Sequence, residues 1–266
     1  MTFLHALNYQ FTYKCLHYLF FRSNLLFYEV SLLNRIIFLL ISFVCVSDKT
    51  WAIAQLENSY QSPSAYIMAE VDNYLRQDKL EPVEKNGIVI TGSSSIRFWQ
   101  PDIHHDFKQV EVIARGFGGS NMNDLLHFSE ELITQYQPRA VAIYEGDNDI
   151  AQGISPTLIL KKYIALNNKV RKALPDIRIY FISIKPSIAR QSMWPKMAET
   201  NQLIQELCNA QQHCTYIDTA TQLLKDGKPK QDVFIKDGLH LNKKGYQLWS
   251  EAVVGAIEAK EANQLR

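Results

Sequence analysis

The chain has almost no net charge: 28 Lys and Arg against 27 Asp and Glu leave +1 over 266 residues. That balance offers no basic face, so nucleic acid is not an expected partner. No internal repeat and no low-complexity tract interrupts it. Cysteine is scarce, with 4 in all and no C-x-x-C pair, which removes the sequence support for a zinc knuckle or a dithiol redox motif. No apolar run is long enough to span a bilayer. The uncharged stretch from Ile36 to Ser47 falls short of the roughly 20 residues a spanning helix needs.

That stretch has another reading. Arg35 precedes it and Ala52-Ile53-Ala54 follows, so a basic residue, a short apolar core and an A-x-A site are in the order of a secretory leader. Cleavage after Ala54 leaves Gln55 as the mature N-terminus, and the chain is expected in the periplasm or outside the cell. Lys14, Arg22 and Glu29 make residues 1–29 an awkward n-region, which a true start near Val30 explains. An uncleaved leader is the alternative, and gives the only expected membrane contact. After export Cys208 and Cys214 remain, and in an oxidising compartment they either pair or stay separate thiols. The chain thus divides into a leader (1–54), a helical lead-in (55–86) and one domain (87–266).

The lead-in carries Ile67, Val71, Tyr74 and Leu75 at helical spacing, and Pro82 closes it. Strand-like runs then follow at Ile88–Thr91, Val110–Ala114, Ala140–Tyr144, Ile179–Ile184 and Thr215–Ile217. Helical patterns separate or follow them at 121–136, 157–174, 196–211 and 243–259. Alternation of this kind predicts parallel βαβ units and a sheet covered on both faces. Such sheets bind ligands outside the carboxyl ends of their strands.

Chemistry-bearing residues fall at those ends. Gly92-Ser93-Ser94-Ser95 follows the first strand, Arg115-Gly116-Phe117-Gly118-Gly119-Ser120 the second, and Glu145-Gly146-Asp147-Asn148-Asp149 the third. Asp237-Gly238-Leu239-His240 comes late. A hydroxyl, an imidazole, a carboxylate and amide donors are together the inventory for acyl transfer.

With these blocks in place, the sequence resembles the SGNH (GDSL-type) hydrolases over roughly residues 87–258. The resemblance implies a flavodoxin-like three-layer α/β/α fold and a serine esterase. It makes Ser94 the nucleophile, with Ser93 standing where the family has aspartate. Gly119 is then an oxyanion-hole glycine, and Ala114 stands where many members have asparagine. Gly146-Asp147-Asn148-Asp149 fits G-x-N-D and makes Asn148 the side-chain oxyanion donor. Asp237 and His240 fit D-x-x-H as orienter and base. Ser93 and Ser95 are expected to shape the turn and cap the next helix.

The chemistry follows from residue type. A serine hydroxyl needs a base to take its proton, and His240 later protonates the leaving alcohol. The Ser94 and Gly119 amides and the Asn148 carboxamide meet the developing oxyanion. Glycine at 119 keeps backbone access to the substrate open. The expected partner is a small-molecule ester, and no cofactor or metal is called for. Carbohydrate O-acetyl esterase or acyltransferase chemistry is the alternative on the same residues, and a non-enzymatic binding domain the more distant one. Other residues read as structure. His104-His105-Asp106 lack a third ligand at suitable spacing for a metal, and Asp149 is expected to hold local amides. Arg97 and Trp99 line the pocket or pack the core. Lys185-Pro186-Ser187 and Trp194-Pro195 follow the fourth strand where a loop shapes the site, and Asn201 ties that loop down.

Overall fold

The computed structural model describes residues 62–261. The leader reading, the proposed cleavage after Ala54 and Cys45 lie outside the described residues. The described chain opens with α1 (Ala65–Leu80), whose N-cap Ser64 accepts from the Ile67 amide. Five strands follow: β1 (Ile88–Gly92), β2 (Val112–Gly116), β3 (Ala140–Tyr144), β4 (Arg178–Ile182) and β5 (Cys214–Ile217). Every pair is parallel, in the order β2-β1-β3-β4-β5. This is the flavodoxin-like doubly wound arrangement, and its order reverses at β1.

Strands buried on both faces need continuous apolar runs, and Ile88-Val89-Ile90 and Ala140-Val141-Ala142-Ile143 supply them. Their side chains alternate between two cores. Val89, Val141, Ile143 and Phe181 pack with Ile67 and Val71 of α1, with Ile159 and Tyr163 of one connecting helix, and with Ile204 of another. Ile88, Ile90, Ala142 and Ile182 pack on the opposite face with Ile96, Trp99, Trp249 and Val253. The expected three layers are present.

Most predicted helices stand, with shifts that have local causes. The pattern at 121–136 divides into α3 (Met122–His127), α4 (Ser129–Leu132) and a 3-10 turn (Thr134–Tyr136). Asn121 starts α3 with a capping box that Asp124 completes. A short α5 (Asp147–Ala151) precedes α6 (Pro156–Ala173), which begins at Ser155 as N-cap with proline in its first turn. Then come α7 (Trp194–Asn209) and, after β5 and a small hairpin, α8 (Lys243–Glu261). The fourth strand ends at Ile182 rather than Ile184. Asn201 of α7 causes this: its carboxamide accepts from the Ile184 amide at 2.8 Å and donates to the Ile184 carbonyl at 2.9 Å. The second strand starts at Val112, two residues later than the apolar pattern suggests.

The helix expected to follow the serine turn receives its bounds from the structure. Residues Ser94–Asp106 form α2, with Pro101 inside it. An internal proline removes one helix hydrogen bond and argues against a helix, yet Ile96, Trp99 and Ile103 are fully buried against the second core. Tertiary packing outweighs the local penalty. Cys208 at the end of α7 and Cys214 at the start of β5 form a disulfide with 4.8 Å between Cα atoms, so the open question of their pairing resolves to a bridge.

Candidate active site

The ends of three strands are level. In the sheet register Gly92 stands opposite Gly116 on one side and Tyr144 on the other. The segments carrying Ser94, Gly119 and Asn148 therefore leave the sheet at one height, at the switch point where such folds hold ligands. Gly92 is required there. Its φ is +139°, and a Cβ would lie 2.0 Å from the Tyr144 carbonyl oxygen. No side chain fits so near the neighbouring backbone, and the turn into α2 depends on that approach.

Ser94 is the first residue of α2, half-buried. The first amides of a helix have no intrahelical acceptor, which leaves the Ser94 N–H available at the positive end of the helix. Ser93 is the N-cap, but its side chain makes no capping bond; its carbonyl instead accepts from the Ile96 and Arg97 amides. The expectation that the Ser93 hydroxyl caps α2 is corrected accordingly. Ser95 is buried, and its carbonyl accepts from the Tyr246 hydroxyl at 2.9 Å, tying α8 to the start of α2.

The late loop is built around Asp237. Phe234 and Leu241 form an antiparallel bridge, and the Ile235 amide donates to the His240 carbonyl. One carboxylate oxygen of Asp237 accepts from the Leu239 and His240 amides, while the other accepts from His240 Nδ1 at 2.6 Å. That bond fixes the tautomer, leaving Nε2 as acceptor for the Ser94 hydroxyl at 2.9 Å. Ser94, His240 and Asp237 thus form one continuous line across 146 residues of sequence. Desolvation pushes the Asp237 carboxyl upward, but the hydrogen bonds from the His240 ring and from the His240 and Leu239 amides outweigh it and hold the group at about 2.

Gly119 has a φ of +79°, and among the described residues no atom beyond its chain neighbours lies within 4 Å of a Cβ built there. Its glycine is needed for backbone conformation, and the space beside it is open. Asn148 donates from Nδ2 to the Ser120 carbonyl at 2.8 Å, so the third-strand segment is locked to the second. Two buried acids frame this lock. Glu145 accepts from the Ser120 hydroxyl and is pushed well above the usual carboxylate range by burial. Asp149 accepts from the Met122 amide at 3.0 Å and pairs with Lys162 at 3.3 Å, the structural task expected of it.

Of the two residues that the sequence offers to either the pocket or the core, the structure places Trp99 in the core, where its indole donates to Asp106. Arg97 points to Glu70 of α1 in an ion pair of 2.6 Å. Phe98 is the neighbour of the site: it is 52% exposed, and its ring centroid lies 4.7 Å from that of His240, edge to face. Helical spacing explains this, because residues four apart share a face and α2 begins at Ser94. Trp194 and Pro195 open α7 and are half-buried or exposed. Among the described residues no cluster of His, Cys, Asp and Glu could hold a metal.

Residues 86–248 match the GDSL-like Lipase/Acylhydrolase family, and the chain belongs to it. It is an enzyme that hydrolyses esters. Solved structures share the fold. A Streptococcus pneumonia protein provisionally described as a platelet activating factor is 22% identical, with a TM-score of 0.65 over 78% of this chain and 99% of that one. A GDSL-like lipase from Bacteroides thetaiotaomicron is 20% identical, with a TM-score of 0.60 over 71% and 97%. A carbohydrate esterase family 3 protein from Talaromyces cellulolyticus is 16% identical, with a TM-score of 0.52 over 69% and 100%. No curated protein sequence matches the chain.

Proposed function

We propose that the chain is an exported serine esterase that cleaves small or acylated carboxylic esters through an acyl-enzyme. The Ser94–His240–Asp237 line, with its contacts of 2.9 and 2.6 Å, carries the reading. Ser94 Oγ attacks the ester carbonyl as His240 Nε2 takes its proton. The oxygen becomes negative and is met by the Ser94 and Gly119 amides and the Asn148 carboxamide. His240 then protonates the leaving alcohol, and the acyl group remains on Ser94. In the second half-reaction His240 activates water, which releases the acid and restores the hydroxyl. Hydrolysis of p-nitrophenyl esters of graded chain length, beside acetylated sugars, tests the activity and ranks its substrates.

A de-O-acetylase or acyltransferase acting on glycans is the second reading. Phe98 favours it, since an exposed aromatic ring lies beside the base that must reach the leaving oxygen. Acetyl release from sugars that exceeds release from alkyl esters would select this reading; acyl transfer to sugar acceptors in water would identify the transferase.

The oxyanion role of Asn148 has its own expectation. A donor aimed at developing charge acts in the transition state, so Asn148→Ala should lower kcat by roughly 10²–10³ with little change in KM. Near-wild-type kcat would remove the residue from the oxyanion hole.

Export is proposed from the order of Arg35, the apolar run and Ala52-Ile53-Ala54. The Cys208–Cys214 bridge supports it, because such bonds persist in oxidising compartments. Protein recovered from its native host should begin at or near Gln55 by mass spectrometry. Recovery with residues 30–54 still attached would favour an anchored form.

A further inference from the structure

We propose that Arg190 is a positioning residue that fixes and polarises the Asn148 carboxamide, with Asp147 and Lys185 holding it in place. The inference rests on the reading of Asn148 as an oxyanion donor.

A carboxamide has two ends of similar shape, and only one of them donates. An oxyanion hole that uses it must keep the NH₂ turned inward. Arg190 Nη2 donates to Asn148 Oδ1 at 3.0 Å, while Asn148 Nδ2 donates to the Ser120 carbonyl at 2.8 Å. A guanidinium has no acceptor and a carbonyl has no donor. Each neighbour therefore excludes the flipped amide, and together they leave the second Nδ2 hydrogen free. Donation into Oδ1 also draws charge from the amide and strengthens its remaining N–H as a donor.

Arg190 is itself fixed. Its Nη1 donates to Asp147 Oδ1 at 2.6 Å, so one planar guanidinium binds adjacent residues of α5 through both of its terminal nitrogens. Asp147 Oδ2 lies 3.5 Å from Lys185 Nζ, which also donates to the Leu239 carbonyl at 2.8 Å. Lys185 is 1% exposed. Burial pulls the Lys185 ammonium downward, and Asp147 acts against that pull. Leu239 is the residue before His240, and the Ala189 amide donates to the Gly238 carbonyl at 3.0 Å. The segment 185–190 thus braces the oxyanion side and the base side at once.

Steady-state kinetics on p-nitrophenyl acetate with Arg190→Met, Arg190→Lys, Asn148→Ala and the Asn148→Ala/Arg190→Met double variant tests this. Misplacing a catalytic group by about 1 Å costs on the order of 10²-fold. Arg190→Met is expected to lower kcat by roughly 10–100-fold with KM within about twofold of wild type. Arg190→Lys keeps the charge beside Asp147 but lacks the two-pronged fork, and should lose part of that rate while folding normally by circular dichroism. In the double variant the Arg190 change should cost almost nothing beyond Asn148→Ala, because the group it orients is gone. Costs that multiply in the double variant would mean that Arg190 only supports the fold, and would overturn the proposal. So would wild-type kcat in Arg190→Met beside a slow Asn148→Ala, an outcome that leaves the oxyanion reading standing. A fully active Asn148→Ala would remove both.

Discussion

Ser94→Ala should lose ester hydrolysis by roughly 10⁴-fold or more while keeping its fold. The expectation of an intact fold comes from how few things the hydroxyl does. Its contact in the structure is the bond to His240 Nε2, and the N-cap position belongs to Ser93. Alanine is a better helix former than serine at the start of α2. The expectation of lost activity comes from chemistry, because without Oγ no acyl-enzyme forms and water must attack unaided. Ser93→Ala and Ser95→Ala are the controls. Neither hydroxyl belongs to the Ser94–His240–Asp237 line, so both variants should keep most of the wild-type rate. An inactive Ser95→Ala with an active Ser94→Ala would show that the nucleophile has been placed in the wrong register. A covalent serine-directed phosphonate gives a second readout, expected to add mass at Ser94 alone.

The residues of this prediction were legible in the sequence because they sit on short spacings. Gly92 to Ser94, Gly146 to Asn148 and Asp237 to His240 each span two or three positions, and the backbone turns that impose those spacings are local. The sheet was legible for a similar reason, since buried parallel strands must be apolar on both faces. Residues that meet through the fold were not. Lys185 read as part of a loop after the fourth strand, but its partners are Asp147, from the previous strand's end, and Leu239, 54 positions later. Arg190 carried no signal at all, as nothing local announces that it will reach Asn148. Phe98 carried no local signal either, because the serine turn alone does not fix the first residue of α2. Once the helix is known to begin at Ser94, the i,i+4 relation puts Phe98 on the face that carries Ser94. Whether Cys208 and Cys214 pair was open for the same reason: only the turn from α7 into β5 brings them together.

His240→Ala should approach Ser94→Ala in severity, and the two changes together should cost little more than either alone. Residues that act as a unit lose their function once. Asp237 is expected to rank between wild type and His240→Ala, for reasons the structure separates. Its Oδ2 orients the ring through Nδ1, whereas its Oδ1 holds the Leu239 and His240 amides. Asp237→Ala removes both contacts, but the loop keeps the Phe234–Leu241 bridge and the Lys185 bond to the Leu239 carbonyl. Asp237→Asn keeps an acceptor for the amides but turns an NH₂ donor toward Nδ1, which drives the ring proton to Nε2, so it removes the tautomer control together with the charge that stabilises an imidazolium. With its carboxyl held at about 2, below the ordinary 3.8, Asp237 is ionised throughout the range in which an esterase is assayed. A depressed native value contributes stability that is complete above the unfolded value and is lost only as pH falls from about 4 toward 2. Loss of activity on acidification to pH 5 must therefore come from a group other than Asp237, and the acid limb of kcat/KM should persist in Asp237→Asn. Steady-state kinetics of these variants on one soluble ester, with pH profiles for wild type and Asp237→Asn, would establish the order. A fully active His240→Ala would overturn the Ser–His mechanism. An Asp237→Ala variant slower than His240→Ala would show that the carboxylate does more than orient the ring, and an acid limb that vanishes in Asp237→Asn would place that titration on Asp237 after all.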